Sequence, residues 1–206
     1  MNIALLSVFV PTFFFVSITP GLCMTLAMTM GMTIGIRRAL WMMAGELVGV
    51  ALVAVLAAVG VAALLLNYPT AFNAFKIMGG LYLGFMGVQM WLSRGKMAIK
   101  TDVSKGRPAS RTELALQGFM TAVSNPKGWA FFVALLPPFL SRDSSLFNQL
   151  LILVSIILVL EFMCLLIYAS GGVTLRSILM KNSNVRVMNR IAGSLMIGVG
   201  LWLAVG

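Results

Sequence analysis

The stretch LFNQLLILVSIILVLEFMCLLIYASGG, residues 146–172, decides the fold. It exceeds the ~20 apolar residues that a helix needs to cross the hydrocarbon core of a bilayer. Its one charged side chain, Glu161, lies near its middle. Working outward, five further apolar segments follow the same pattern, at about 3–36, 39–66, 70–93, 112–140 and 187–205. Charged and turn residues separate them: Arg37-Arg38, Asn67-Tyr68-Pro69, the polar run Arg94 to Arg111, Ser141 to Ser145, and Arg176 to Arg186.

Composition points the same way. The 206 residues are 60% hydrophobic and 10% charged, with a mean hydropathy of +1.01, whereas soluble domains carry about 25% charged residues. A water-soluble fold could not hide that much apolar surface. Backbone in hydrocarbon must satisfy its own hydrogen bonds, which helices do internally. The prediction is an all-α membrane protein with six transmembrane helices. Met1 to Ile36 carries no charge and is too long for the apolar core of a signal peptide, so it reads as a retained span. No small residue stands immediately before Cys23, which argues against lipidation there. The two cysteines, Cys23 and Cys164, both lie inside apolar segments and imply no disulfide framework.

Basic residues set the orientation, because short cytoplasmic loops retain Lys and Arg. Arg37, Arg38, Arg94, Lys96, Lys100, Lys105, Arg107, Arg111, Arg176, Lys181, Arg186 and Arg190 fall on one side, against Lys76 and Arg142 on the other. Both termini are therefore expected outside a bacterial cytoplasmic (inner) membrane. The same distribution accounts for the net charge of +10: charges beside apolar spans serve topology and anionic lipid, and no nucleic-acid partner is expected.

Ile77-Met78-Gly79-Gly80-Leu81-Tyr82-Leu83-Gly84 aligns without gaps over Ile191-Ala192-Gly193-Ser194-Leu195-Met196-Ile197-Gly198, with Ile, Gly, Leu and Gly in register. The first and fourth segments share a mark of their own, Thr19-Pro20-Gly21 and Asn125-Pro126-Lys127-Gly128. This predicts two three-helix repeats, residues 1–93 and 112–206, joined by a flexible basic cytoplasmic linker at 94–111. An odd number of spans per repeat makes the pair inverted in topology, a plan common among secondary transporters. Shared glycine content alone is the plainer alternative.

Pro20 and Pro126 fall near the midpoints of their segments and should break the first and fourth helices at mid-membrane depth. Backbone freed there survives only where it is buried in protein or lines a wet cavity. The half-helices that follow would offer N-terminal amides suited to a carboxylate, as on an amino acid; a proline kink used for packing is the alternative. Within spans lie Glu46, Lys127 and Glu161, each costing about 2.5–3.5 kcal/mol on insertion scales. Glu161 reads either as a proton-coupling carboxylate or as the ion-pair partner of Lys127. Glu46 reads as shallower, about two turns from the cytoplasmic end, and so not as a repeat mate of Glu161. Gly31-x-x-x-Gly35, Gly45-x-x-x-Gly49, Gly80-x-x-x-Gly84 and Ser194-x-x-x-Gly198 supply close helix packing, and the 16 methionines read as adaptable core filler. With no histidine in the chain, a histidine relay is excluded and no metal or other cofactor is expected.

Thr19-Pro20-Gly21, Ala44-Gly45 with Gly49, Lys76 to Gly87, Asn125-Pro126-Lys127, Leu136-Pro137 with Phe139, and Asn189 to Gly198 together resemble the lysine exporter superfamily, in particular its LysE/RhtB family of bacterial amino-acid exporters. The resemblance implies a transporter, not an enzyme, that exports amino acids or close derivatives by proton antiport. Glu161 stands where such proteins often carry an acidic residue in the fifth span. The expected mechanism is alternating access around a site where Thr19, Pro20, Gly21, Ser124, Asn125, Pro126 and Lys127 meet the substrate. Glu161 then couples protons, and Glu46 binds the substrate ammonium or closes the cytoplasmic gate. The expected partners are an amino acid and membrane lipid, with a homodimer as the candidate assembly.

Two other functions share the six-helix plan. A thiol-disulfide electron carrier needs a cysteine after the proline in both repeat-related spans, and none stands near Pro126. A divalent-cation exporter needs several oxygen or nitrogen donors, which two membrane carboxylates supply poorly.

Overall fold

A computed structural model describes residues 3–93, 109–136, 139–140, 145–179 and 182–205. These form α1 (Ile3–Ile18), α2 (Leu22–Ile34), α3 (Ile36–Asn67), α4 (Pro69–Leu92), α5 (Arg111–Val123), α6 (Pro126–Leu135), α7 (Leu146–Leu179) and α8 (Asn182–Val205), with no strand among the described residues. Most of the expected linker, residues 94–108, lies outside them.

Local chemistry sets the boundaries. Pro69 and Pro126 open α4 and α6 at the one helical turn where a missing N–H costs nothing. Gly35, at φ 80°, ends α2 in a conformation that a side chain would strain, and α3 starts at the next residue. Ser110 and Glu113 form a reciprocal capping box at the start of α5: Glu113 N donates to Ser110 Oγ at 3.2 Å and Ser110 N donates to Glu113 Oε2 at 2.6 Å.

Ile36–Ala63 and Leu146–Gly171, with mean hydropathies of 2.4 and 3.1, are each long and apolar enough to cross a membrane. Leu6–Ile18 and Leu22–Ile34 are so only as a pair, bent by 56° at the break between them. Among the described residues, helices α3 and α7 are thus the two unbroken pillars. Helix α3 packs on α5 and α7, α7 on α2, and α4 and α8 pair along the flank.

Glycine lets these backbones touch. A Cβ on Gly80 would stand 2.5 Å from the Gly200 carbonyl oxygen and one on Gly200 2.5 Å from that of Gly80; Gly87 and Gly193 face each other the same way, at 2.6 and 2.5 Å. The pair is antiparallel, with contacts two turns apart. Gly31, Gly45 and Gly49 likewise lie against neighbouring backbone, as does Gly118. The four-residue spacing read from the sequence is not what joins α4 to α8, however. Gly84 and Gly198 have open space where a Cβ would be, and the seam runs through glycines seven apart. Ser194 acts as an acceptor instead, 3.1 Å from Trp91 Nε1.

The apolar interior divides into two cores. One is rich in phenylalanine (Phe9, Phe13, Phe131, Phe132, Phe139), with Val53, Leu135 and Ile157. The other is rich in methionine (Met24, Met28, Met42, Met43), with Leu114, Leu165 and Tyr168. The chain passes between them at the first helix break, between Met43 and Val50 on α3, between Leu114 and Ala122 on α5, and between Ile157 and Cys164 on α7. Glu46 and Glu161 therefore occupy the same junction, contrary to the different depths read from the sequence.

Candidate functional site

A helix leaves its last four carbonyls without backbone donors. At the C-terminus of α1, side chains from three places take three of them. Thr19 Oγ1 donates to the Phe15 carbonyl at 2.6 Å, Tyr168 Oη from α7 to that of Ile18 at 2.7 Å, and Lys127 Nζ from α6 to that of Val16 at 2.9 Å. The ammonium also complements the negative end of the α1 dipole.

Past Pro20 the chain re-enters helix at Leu22. Its N-cap is Gly21, extended at φ −141° and ψ −168°, with no side-chain cap. The first-turn amides of α2 have no intrahelical acceptor, and none is supplied from the cap.

The second break is closed. Trp129 Nε1 donates to the Val123 carbonyl at 2.8 Å, and the backbone N–H groups of Ser124 and Asn125 fold back onto Met120 and Ala122. Asn125 caps α6, its Oδ1 accepting from the Lys127 amide at 3.1 Å, while Pro126 has no N–H to offer and Gly128 N donates to the Asn125 carbonyl at 3.1 Å. The expectation that both half-helices present free N-termini holds for α2 and fails for α6, where asparagine and proline consume the donors.

The breaks enclose a cavity of about 60 Å³ lined by, among others, Ser17, Thr19, Gly21, Cys23, Asn125, Lys127 and Glu161. Lys127 and Glu161 are the two charged groups lining it. They attract each other across it without closing an ion pair; the lysine goes to the Val16 carbonyl, and the Ser17 hydroxyl faces Glu161. The structural role expected for Glu161, as ion-pair partner of Lys127, is thus realised only at a distance.

Glu46 is 0% exposed, just outside the cavity lining, and neither of its carboxylate oxygens has a hydrogen-bond partner. It is next to the Cys23 thiol and within electrostatic reach of Glu161. Cys23 in turn accepts from Asn125 Nδ2 at 3.4 Å, so a thiol links the two breaks. Cys23 and Cys164 are both buried and free.

Of the residues marked in the sequence, Thr19, Gly21, Asn125, Lys127 and Glu161 meet at the cavity. Pro20 and Pro126 shape the breaks from outside its lining, and Ser124 is exposed as the C-cap of α5. Sequence reasoning did not find the Val16 carbonyl or Tyr168. The signal available for the second was a tyrosine in an apolar helix, whose hydroxyl needs a buried acceptor.

Helical pillars, one pair of broken helices and a small cavity lined by Lys127 and Glu161 define a multi-pass membrane protein. The chain belongs to the LysE type translocator family, whose model matches residues 14–206. It is 28% identical over 168 residues to a homoserine/homoserine lactone efflux protein of Salmonella typhimurium, covering 82% of this chain and 80% of that one. It is 26% identical over 195 residues to a leucine efflux protein of an Enterobacter species, covering 93% and 90%. An uncharacterized membrane protein of Vibrio cholerae is 27% identical over 168 residues, covering 82% and 80%. No solved structure matches the chain significantly.

Proposed function

We propose that this protein exports amino acids or close derivatives from the cytoplasm across the bacterial inner membrane, by proton antiport and alternating access. The observation that carries the reading is the pairing at one small cavity of a free helix N-terminus and Lys127 with the Glu161 carboxylate. A zwitterion needs both signs of partner within a few ångströms. The efflux relatives, named for homoserine, its lactone and leucine, supply the direction of transport and the substrate class.

The spans group as two inverted three-helix units, 1–93 and 112–206, with residues 94–111 as a cytoplasmic linker and both termini outside. In this reading the α2 amides with Thr19 and Gly21 receive the carboxylate, Asn125 and Lys127 orient it, and Glu161 carries the coupling proton. Pro20 and Pro126 keep the breaks open, and Ser124 joins the contact surface when the cavity widens. Glu46, closer to the methionine-rich core, serves as the cytoplasmic gate. Small-molecule sites occupy about 300–1,000 Å³, so a cavity of about 60 Å³ corresponds to a closed stage of the cycle. A homodimer is the assembly in which we would test transport.

Efflux from cells loaded with labelled leucine and homoserine, with and without a proton gradient, tests the reading. The expected result is gradient-dependent loss of one or both, abolished by Glu161→Gln. Absence of efflux for every amino acid would overturn the exporter reading; full activity of Glu161→Gln would overturn the coupling role alone.

A further inference from the structure

The Lys127 ammonium lies in a place built for a cation that need not be its own. We infer that the Val16 carbonyl, Ser17 and Glu161 form a subsite for a primary ammonium group, which Lys127 occupies in the absence of ligand and vacates when a ligand ammonium arrives. The inference deepens the exporter reading and rests on it for the identity of the natural ligand.

Three observations converge. First, the exposed carbonyls at the end of α1 are held unequally. Phe15 and Ile18 are bonded by neutral hydroxyls on buried residues, Thr19 and Tyr168, whereas Val16 is bonded by the tip of a four-carbon stem. A lysine side chain gives up such a contact by rotation, without backbone movement. Second, Glu161, 8% exposed, is the anion lining the same cavity and attracts Lys127 without being bonded to it. It retains acceptor capacity for a second cation. Third, Lys127 is already next to the other half of a zwitterion site: a Cβ on Gly21, the uncapped N-terminus of α2, would stand 4.0 Å from Nζ.

A primary ammonium on a ligand has the charge, size and three donors of the lysine tip. It competes for the same acceptors. Once displaced, Lys127 lies over the α2 N-terminus, where the ligand carboxylate is received. Amine and carboxylate are then recognised in sequence, and Lys127 acts as a tethered competitor that only an ammonium-bearing ligand removes. A competitor that fills a site nine-tenths of the time lowers apparent affinity about tenfold.

The test uses purified full-length protein, with 3-methylbutylamine as the cationic probe and 4-methylpentanoate as the anionic one. Lys127→Met and Lys127→Gln should bind the amine about tenfold more tightly than wild type, and Lys127→Arg should show no gain. Glu161→Gln should lose the amine, and removing the lysine should weaken binding of the carboxylate. Unchanged or weaker amine binding in the two neutral variants would overturn the subsite. A measurement on the intact protein stands beside these variants. With lysine labelled with carbon-13 at Cε, the resonance missing from Lys127→Arg should shift on saturation with the amine and stay in place with 4-methylpentanoate. A resonance that does not move with the amine also overturns the proposal. Because neither arm requires transport, a protein that exports amino acids yet fails both loses only the subsite. One that passes both yet exports nothing loses only the exporter reading.

Discussion

The two helix breaks are both made at a proline and end with opposite chemistry. At Thr19-Pro20-Gly21 the proline stands before the cap, glycine caps nothing, and the amides of α2 are left open. At Asn125-Pro126-Lys127 the asparagine is itself the cap, the proline takes N1, and the amides of α6 are consumed. Two residues of register, from one before the cap to one after it, decide whether a broken helix offers a site or a joint. The first break carries the open donors, while the second supplies a rigid frame from which Lys127 reaches across to the first.

The largest predicted effect comes from making the first break resemble the second. Gly21→Asp places a carboxylate at the N-cap of α2, where it bonds the free amides and lies beside the Lys127 ammonium. Export should fall about a hundredfold or more, equivalent to about 2.7 kcal/mol in the transport barrier. Thermal stability should hold or rise, because the extended backbone at φ −141° accepts a side chain and gains a cap. Undiminished efflux would show that the open N-terminus is not where substrate binds, and the contrast between the breaks would lose its functional meaning.

A second prediction concerns the junction that both breaks share. Glu46 is fully buried with both carboxylate oxygens unpartnered, a placement that costs about 2.5–3.5 kcal/mol for a charged group at membrane depth. Glu46→Met extends the methionine-rich core into the junction and should stabilise the protein by about 2–3 kcal/mol. The same change should impair transport. Detergent-phase thermal unfolding with a parallel efflux assay checks both, and a destabilised Glu46→Met would mean that a partner for the carboxylate exists in the resting protein.

How much of this was legible beforehand depended on the range of the interactions involved. Apolar length and proline position act locally, so the helical class and both break points could be read from residues 19–21 and 125–127. The basic run beside Arg111 could be read too, and its end is tied down as local charge suggests: Arg38 donates to the Ala109 carbonyl and Arg111 stacks 5.3 Å from the Trp41 ring. What could not be read needed partners far apart in sequence. Tyr168 and Lys127 reach the end of α1 from 150 and 111 residues away. The seven-residue glycine seam appears only once α4 and α8 are known to be antiparallel. The common depth of Glu46 and Glu161 depended on where helices α3 and α7 meet the two cores, which apolar segment ends alone do not fix.

The smallest predicted effect tests whether the second break is a frame and nothing more. Asn125→Ala removes the acceptor for the Lys127 amide and the donor to Cys23 Sγ. Losing an N-cap of this kind costs about 1 kcal/mol, and the N–H···S contact at 3.4 Å adds little. If the asparagine only holds α6, Asn125→Asp, which keeps the cap acceptor, should recover most of that stability, and the affinity for leucine should change less than about threefold in either variant. If it contacts the substrate, Asn125→Asp should instead weaken leucine binding, because a new negative charge at the cavity wall repels the carboxylate that the α2 amides and Lys127 are there to hold. Unfolding midpoints and leucine titrations on the two variants separate these outcomes. A stable Asn125→Asp protein that binds leucine poorly would keep Asn125 on the binding surface, as proposed; one that binds leucine normally would leave it as frame alone.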